Sequence, residues 1–367
     1  MSFLKEQIIT YMGNKRKLLS NIESIIEDIK RELKKDKLVT VDVFSGSGIV
    51  SRLLKQHSSR LYSNDIAGYS NTLNECYLSN PTEKEKREIN KLIQQANSFV
   101  DTNPDVNKYI SKYWSPENDN NIKECERAYY TSENGKRIDA YMHFIEFFVD
   151  SKYKKYLLAN LIVKASIHAN TNGQFSAFFK DGKVGAYGGK TKTDIRRITK
   201  KIKLDVPIIE NHKCISIISQ KDSNNFVKTL PKTDFIYLDP PYNKHPYVIY
   251  YFLLDIINNW NLSQEIPDST RGQPKNWNKS DYNSISNAEK AFEDLIQNIN
   301  AKYILLSYNN GGIIPLEKIY TILEKKGNVT KFPITHKTYN KLKGIANYKK
   351  IHDKEEIKEY MWLVKCN

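Results

Sequence analysis

FIYLDPPYNKHPY, residues 235 to 247, sets four apolar residues against an acid, two prolines and a tyrosine. Phe235 to Leu238 has the length and apolar character of a buried strand. Pro240 and Pro241 stop it, because proline has no amide proton for a sheet ladder. The stop leaves Asp239 and Tyr242 at the carboxyl end of the strand, where open α/β sheets bind ligands. A rigid mouth with a hydrogen-bonding carboxylate and an aromatic face suits a flat, polar ring.

Strand and helix patterns alternate on both sides of this stretch. Helical spacing of Leu18, Ile22, Ile25, Ile26, Ile29 and Leu33 predicts a helix over 14–33. LVTVDVF (38–44) is β-branched and reads as a strand, followed by a glycine turn and a short helix around Ile49 to Leu54. A second strand spans 60–65 and a helix 69–78. The rhythm resumes with strands in CISIISQ (214–220), DFIYLD (234–239) and AKYILLSYN (301–309), with helices in 246–260 and 287–299 between them. VTKFPI (329–334) and EYMWLVKC (359–366) suit an antiparallel pair. The expected fold is α/β: a doubly wound, mostly parallel sheet with a C-terminal antiparallel strand pair, interrupted by a mostly helical insertion. Residues 1–80 and 211–367 form one domain in this reading, and 81–210 the insertion. Within the insertion, Asp181-Gly182 between aromatic and β-branched residues signals a hairpin.

The length of 367 residues and 40% hydrophobic content allow a large core. No stretch reaches the roughly 18 uninterrupted apolar residues of a membrane span, and the N-terminus lacks the pattern of a signal peptide. Cys76, Cys125, Cys214 and Cys366 stand far apart with no CxxC pair, which points to a reduced, cytoplasmic protein without a zinc site. A net charge of +15 favours polyanions through counterion release, against the plainer reading of a lysine-rich composition. TKTDIRRITKKIK (191–203) concentrates that charge. Lys190, Lys192, Arg196, Arg197, Lys200 and Lys201 are candidate phosphate contacts, or a charged helix face in water.

VDVFSGSG (41–48) places Asp42, Phe44, Gly46 and Gly48 at a strand-to-helix turn. Glycine permits the sharp turn and a close backbone approach to a ligand. The dinucleotide fingerprint wants a third glycine where Ser51 stands, so that pattern is incomplete. Asp42 would repel a pyrophosphate and attract an ammonium, which fits S-adenosylmethionine. Asp65, roughly twenty residues past the glycines, is placed to take ribose hydroxyls, or to cap the following helix. Asp222 follows the third strand and could accept from an adenine amino group, or serve as a cap. In YMGNKR, Gly13 and Asn14 make a turn and cap, or hold the carboxylate end of the cofactor together with Lys15.

YMGNKRKL, VDVFSGSG, SND, QKDSNNF and DPPY occur in this order, with a long insertion between SND and KDSNNF. The set resembles the Dam-like class of N6-adenine DNA methyltransferases, as do DPPYNKHPYVIYYFLLDII, SYNN at 307–310 and the KEYMWLV tail. The resemblance implies a Rossmann-like methyltransferase fold and a target-recognition role for the insertion. It implies S-adenosylmethionine as donor and an adenine flipped out of double-stranded DNA as acceptor. It matches Tyr11, Gly13, Asn14 and Lys15 to the N-terminal cofactor motif, and Asp42, Phe44, Gly46 and Gly48 to the glycine motif. Asp65 is matched to the ribose acid, Asp222 to the adenine-ring contact, and Asp239, Pro240, Pro241 and Tyr242 to the catalytic tetrapeptide. Hydrogen bonds from the target amine to the Asp239 carboxylate and the Pro240 carbonyl would draw it toward sp³ geometry for direct transfer, with no metal. Tyr242 would stack on the flipped base, a contact worth about 1–3 kcal/mol. The same chemistry serves N4-cytosine or an RNA adenine. A monomer is the expected state, and a cognate restriction endonuclease is left open as a further partner.

Overall fold

In the computed structural model, residues 2–103, 105–106, 108–275, 277, 280–334 and 358–367 are described. Lys15–Leu18 forms a 3₁₀ turn capped by the Asn14 side chain and runs into α1 (Leu19–Leu33), which buries Ile22, Ile25, Ile26 and Ile29 along one face. There follow β1 (Leu38–Asp42), α2 (Ile49–His57), β2 (Ser58–Asn64) and α3 (Gly68–Tyr77). The insertion contributes α4 (Glu83–Thr102), α5 (Ile110–Tyr113), α6 (Ser132–Phe148) and α7 (Ser151–His168). It continues with the hairpin β3 (Lys180–Asp181) and β4 (Val184–Gly185), then α8 (Ile195–Thr199). The sheet resumes with β5 (Ile215–Ser219), α9 (Ser223–Lys228), β6 (Thr233–Leu238), α10 (Tyr247–Asn259) and α11 (Ala288–Asn298). The chain closes with β7 (Ala301–Asn309), α12 (Leu316–Glu324), β8 (Gly327–Ile334) and β9 (Glu359–Cys366).

Seven strands make one sheet in the order β5-β2-β1-β6-β7-β9-β8. The first five run parallel, β9 runs antiparallel to β7, and β8 antiparallel to β9. This is the expected doubly wound sheet with its C-terminal antiparallel pair. The period-2 alternation of a strand explains its two coats. Phe235 and Tyr237 of β6 pack with Ile22, Ile26, Leu53 and Leu54 of α1 and α2 on one face. Ile236 and Leu238 pack with Phe292, Leu295 and Ile296 of α11 on the other. Each such side chain, fully buried, contributes about 1.5–3 kcal/mol.

The insertion does not stand apart from the sheet. Its Ile89, Tyr141, Leu157 and Leu161 share one hydrophobic cluster with Tyr69 and Leu73 of α3 and with Leu254 and Ile257 of α10. The predicted hairpin forms, with Asp181 opposite Val184 and Gly182 at φ 61° in the turn. Among the described residues no helix is long and apolar enough to cross a membrane.

Candidate active site

The strand order reverses between β1 and β6, since the chain leaves β1 toward β2 and β5 and returns on the other side at β6. Loops leaving such a point part, and the gap between them is where open sheets hold ligands. Here the gap is a cavity of about 390 Å³ lined among others by Phe44, Asn64, Asp65, Asp222, Asp239 and Tyr247.

The side chain of Asn64, the last residue of β2, ties three strand ends together. Its amide donates to the carbonyls of Val43 (3.2 Å) and Lys221 (3.0 Å), and its oxygen accepts from the Lys221 amide (3.0 Å). Asp65, next in the chain, braces the glycine turn: its carboxylate accepts from Gly46 N at 2.7 Å and from Ala67 N at 2.9 Å. Gly46 has φ 51°, and a Cβ there would lie 2.8 Å from the Tyr11 ring, so glycine is required twice over. Gly48 precedes α2 at φ 76° against Asn74. Asp222 accepts from Asn225 N at 3.0 Å as the cap of α9 and also lines the cavity.

Tyr11 stacks with Tyr251 at 4.8 Å and with Tyr247 at 5.3 Å between ring centroids. The i, i+4 spacing on α10 puts both partners on one face. The Tyr251 hydroxyl accepts from Met12 N at 2.7 Å, which pins the N-terminal segment to α10. At Gly13, a Cβ would sit 2.8 Å from the Tyr242 hydroxyl. The N-terminal motif and the DPPY turn, far apart in the chain, are therefore in contact. Tyr242 meets Tyr308 edge-on at 5.6 Å, and its carbonyl accepts from Ile313 N at 3.0 Å.

Asp239 lies one residue beyond β6. Burial pushes its carboxyl up to about 6; the Lys15 ammonium opposes that rise and Glu359 adds to it. The Lys15 Nζ is 3.1 Å from Asp239 Oδ1 and 2.7 Å from Glu359 Oε1. Burial raises Tyr242 to about 12, again with Lys15 opposing. Asp65 is shifted upward by burial, against its backbone hydrogen bonds. Asp255 of α10 accepts from Tyr69 N at 3.2 Å and is raised to about 7 by burial. These upward shifts share one cause: burial in the cleft disfavours the ionised form of each group.

The structure thus gathers Tyr11, Phe44, Asp65, Asp222, Asp239 and Pro241 around one cavity. Gly13 and Gly46 lie against the lining residues Tyr247 and Tyr11, Asn14 and Gly48 are absent from the wall, Pro240 is buried, and Tyr242 stands at the Gly13 turn. Three of the expected contact residues are engaged by the protein itself. Lys15 is paired with Asp239 and Glu359. Asp42 is fully buried within the sheet, accepts from the Ser51 hydroxyl at 2.6 Å and is absent from the cavity wall. Its burial raises it to about 7, and it acts on the cleft only through space. Arg197 turns inward from the basic patch, donating to the carbonyls of Ile167 in the last turn of α7 and of Ala169 (2.9 Å) and Thr171 (3.2 Å) beyond it. Lys190, Lys192, Arg196, Lys200 and Lys201 are exposed, with Lys201 3.1 Å from Glu133. Residues missed in the sequence include Asn64, Tyr251, Asp255 and Glu359. All four fall within the motif stretches quoted above, which assigned them no role.

The chain belongs to the D12 class N6 adenine-specific DNA methyltransferase family, whose model matches residues 11–326. It is 28% identical over 361 residues to the type II methyltransferase M.NlaIII of Neisseria lactamica, covering 97% of this chain and 99% of that protein. It is 28% identical over 362 residues to the type II methyltransferase M.FokI of Planomicrobium okeanokoites (96% of this chain, 52% of that protein). It is 29% identical over 363 residues to the modification methylase StsI of Streptococcus sanguinis (94% and 50%). The chain spans about half the length of these last two relatives. Its chemistry is methylation of the N6 amino group of adenine in DNA.

Proposed function

We propose that this chain uses S-adenosylmethionine to methylate a flipped adenine at a particular site in duplex DNA, as the modification partner of a restriction endonuclease. The observation that carries the donor assignment is the charge of the cleft. Among the described residues its wall holds Asp65, Asp222, Asp239 and Asp255 against one lysine, Lys221, with Lys15 behind Asp239. That set suits a cationic donor without phosphate and would repel a pyrophosphate. When bound, S-adenosylmethionine supplies an electrophilic methyl group. Asp65 and Asp222 would accept hydrogen bonds from its ribose and adenine, and the Tyr11 and Phe44 rings would pack against it.

Asp239, at the mouth, would accept a hydrogen bond from the target amine, and the Pro240 carbonyl a second. Both acceptors are preorganised, and this positioning supplies most of the rate. Tyr242 would stack on the extruded base and offset part of the few kcal/mol that flipping costs. Residues 1–80 and 211–367 are read as the catalytic body and 81–210 as the target-recognition insertion. Lys190, Lys192, Arg196, Lys200 and Lys201 are the phosphate contacts of that insertion, supported by their exposure. The names of the relatives, type II methyltransferase and modification methylase, support the restriction-modification setting. Free thiols at Cys76, Cys125, Cys214 and Cys366 support action in the cytoplasm, and a monomer is the proposed state.

The test is transfer of a tritiated methyl from S-adenosylmethionine to duplex DNA, followed by nucleoside analysis. N6-methyladenine at one sequence context is the expected product. Labelled 4-methylcytosine, label only in RNA, or no label would overturn the proposal.

A further inference from the structure

The Lys15 ammonium serves two carboxylates. It lies nearer to Glu359 (2.7 Å) than to Asp239 (3.1 Å), and the three side chains are only 4%, 17% and 19% exposed respectively. A Lys15–Asp239 pair by itself would be neutral, so the second carboxylate is not needed to balance charge. Its place is structurally firm. Glu359 is the first residue of β9, paired opposite Asn309 of β7, and β7 pairs with β6, the strand that ends just before Asp239. Asp239 itself stands on the turn beyond its strand. Lys15 comes from a third segment, on the turn that Asn14 caps.

We propose that Glu359 is a positioning residue for the methyl transfer: it draws the Lys15 ammonium toward β9, so that Lys15 orients Asp239 without fully neutralising it. The inference deepens the proposed function and rests on the role given there to Asp239. An Asp239 carboxylate tied wholly to Lys15 would be a weak acceptor for the target amine. One that shares the lysine keeps its basicity and still has its direction fixed. Other groups act on the cluster from each side: Asp42 from the end of β1, Tyr237 from β6, Tyr242 from the turn, and Tyr247 from α10. Burial is the largest influence on the Asp239 carboxyl, Lys15 pulls it down and Glu359 pushes it up. Loss of the Glu359 charge therefore lowers it, by direct removal of a like charge and by releasing Lys15 to Asp239.

The experiment uses the full chain with ¹³C-labelled aspartate carboxyls. The Asp239 resonance, assigned by its loss in Asp239→Asn, is titrated without donor or DNA in wild type and in Glu359→Gln. Steady-state transfer to duplex DNA is measured in parallel from pH 5 to 9. The expected result is a midpoint lower by about one pH unit in Glu359→Gln. The plateau kcat is expected to fall about fivefold, with KM for donor and DNA unchanged within about twofold. An unmoved midpoint, an unchanged plateau kcat, or a loss carried by KM overturns the inference. If Glu359→Gln does not fold, Glu359→Asp replaces it: withdrawing the carboxylate by one methylene is expected to lower midpoint and plateau in the same sense by less. A wild-type chain that makes no N6-methyladenine sinks the proposed function and this inference with it. That failure is recognisable because it appears before any substitution is made.

Discussion

The Lys15 ammonium lies 3.1 Å from the Asp239 carboxylate, joining the N-terminal motif to the turn that closes β6. The contact opposes the rise that burial gives the Asp239 carboxyl. It leads to predictions that separate residues acting on the reaction from residues that hold the fold.

Asp239 is held at about 6, with burial raising it and Lys15 lowering it. The proposed transfer needs the carboxylate, so kcat is expected to fall as pH drops through about 6. In Lys15→Met the lowering partner is gone, the carboxyl protonates at higher pH, and the acid limb moves upward by about one unit or more. A pH profile of the variant that overlays the wild type's would dismiss Lys15 from this role.

Asp239→Ala is expected to reduce kcat by about 10²–10³-fold, the loss typical of removing one preorganised group. Donor binding, measured by calorimetry, should persist, since the other acids of the cleft remain. Undiminished turnover would mean that the amine is held by something else.

Asp65 accepts from the amides of Gly46 and Ala67. Asp65→Ala orphans both donors at the cleft, at a cost of about 1–3 kcal/mol for each buried group. Donor affinity should weaken about tenfold or more, and thermal denaturation should show a lower Tm. A variant with wild-type affinity would place the donor elsewhere.

Arg196 and Arg197 are neighbours in the chain with opposite fates. Arg196 is exposed, whereas Arg197 donates to three backbone carbonyls. Arg196→Ala should weaken DNA binding and reduce the slope of log K against log salt by about one. Arg197→Ala should leave that slope alone and lower unfolding free energy by about 1–3 kcal/mol. Binding isotherms at several salt concentrations, with chemical denaturation, tell the two apart.

Asp139 of α6 accepts from the amides of Tyr109 (3.1 Å), Ile110 (2.7 Å) and Ser111 (3.0 Å) and from the Ser111 hydroxyl (2.6 Å). It fastens the start of the short α5 to α6. Asp139→Ala is expected to cost about 3 kcal/mol or more, because several buried donors lose their partner at once. Hydrogen exchange at 109–111 is the sensitive measurement; protection equal to that of the wild type would contradict the account.

Most of the fold was legible because local chemistry dictates it. Apolar runs of strand length, the helical spacing from Leu18 to Ile29, the SGSG turn, the Asp181-Gly182 hairpin and the double-proline stop all act over a few residues. Each was found where its pattern placed it. The end-of-strand positions of Asp65, Asp222 and Asp239 followed as well, because a parallel sheet brings its carboxyl ends to one edge. What the tertiary structure alone decided is which of those groups face the cleft and with what charge. Asp42 points to Ser51 of α2 and Arg197 into the insertion. Lys15 meets an acid from each of two distant segments, and Asn64 ties the end of β2 to those of β1 and β5. Side-chain direction and pairing depend on packing between elements far apart in the chain. A linear pattern carries the period of an element but not the register in which distant elements meet.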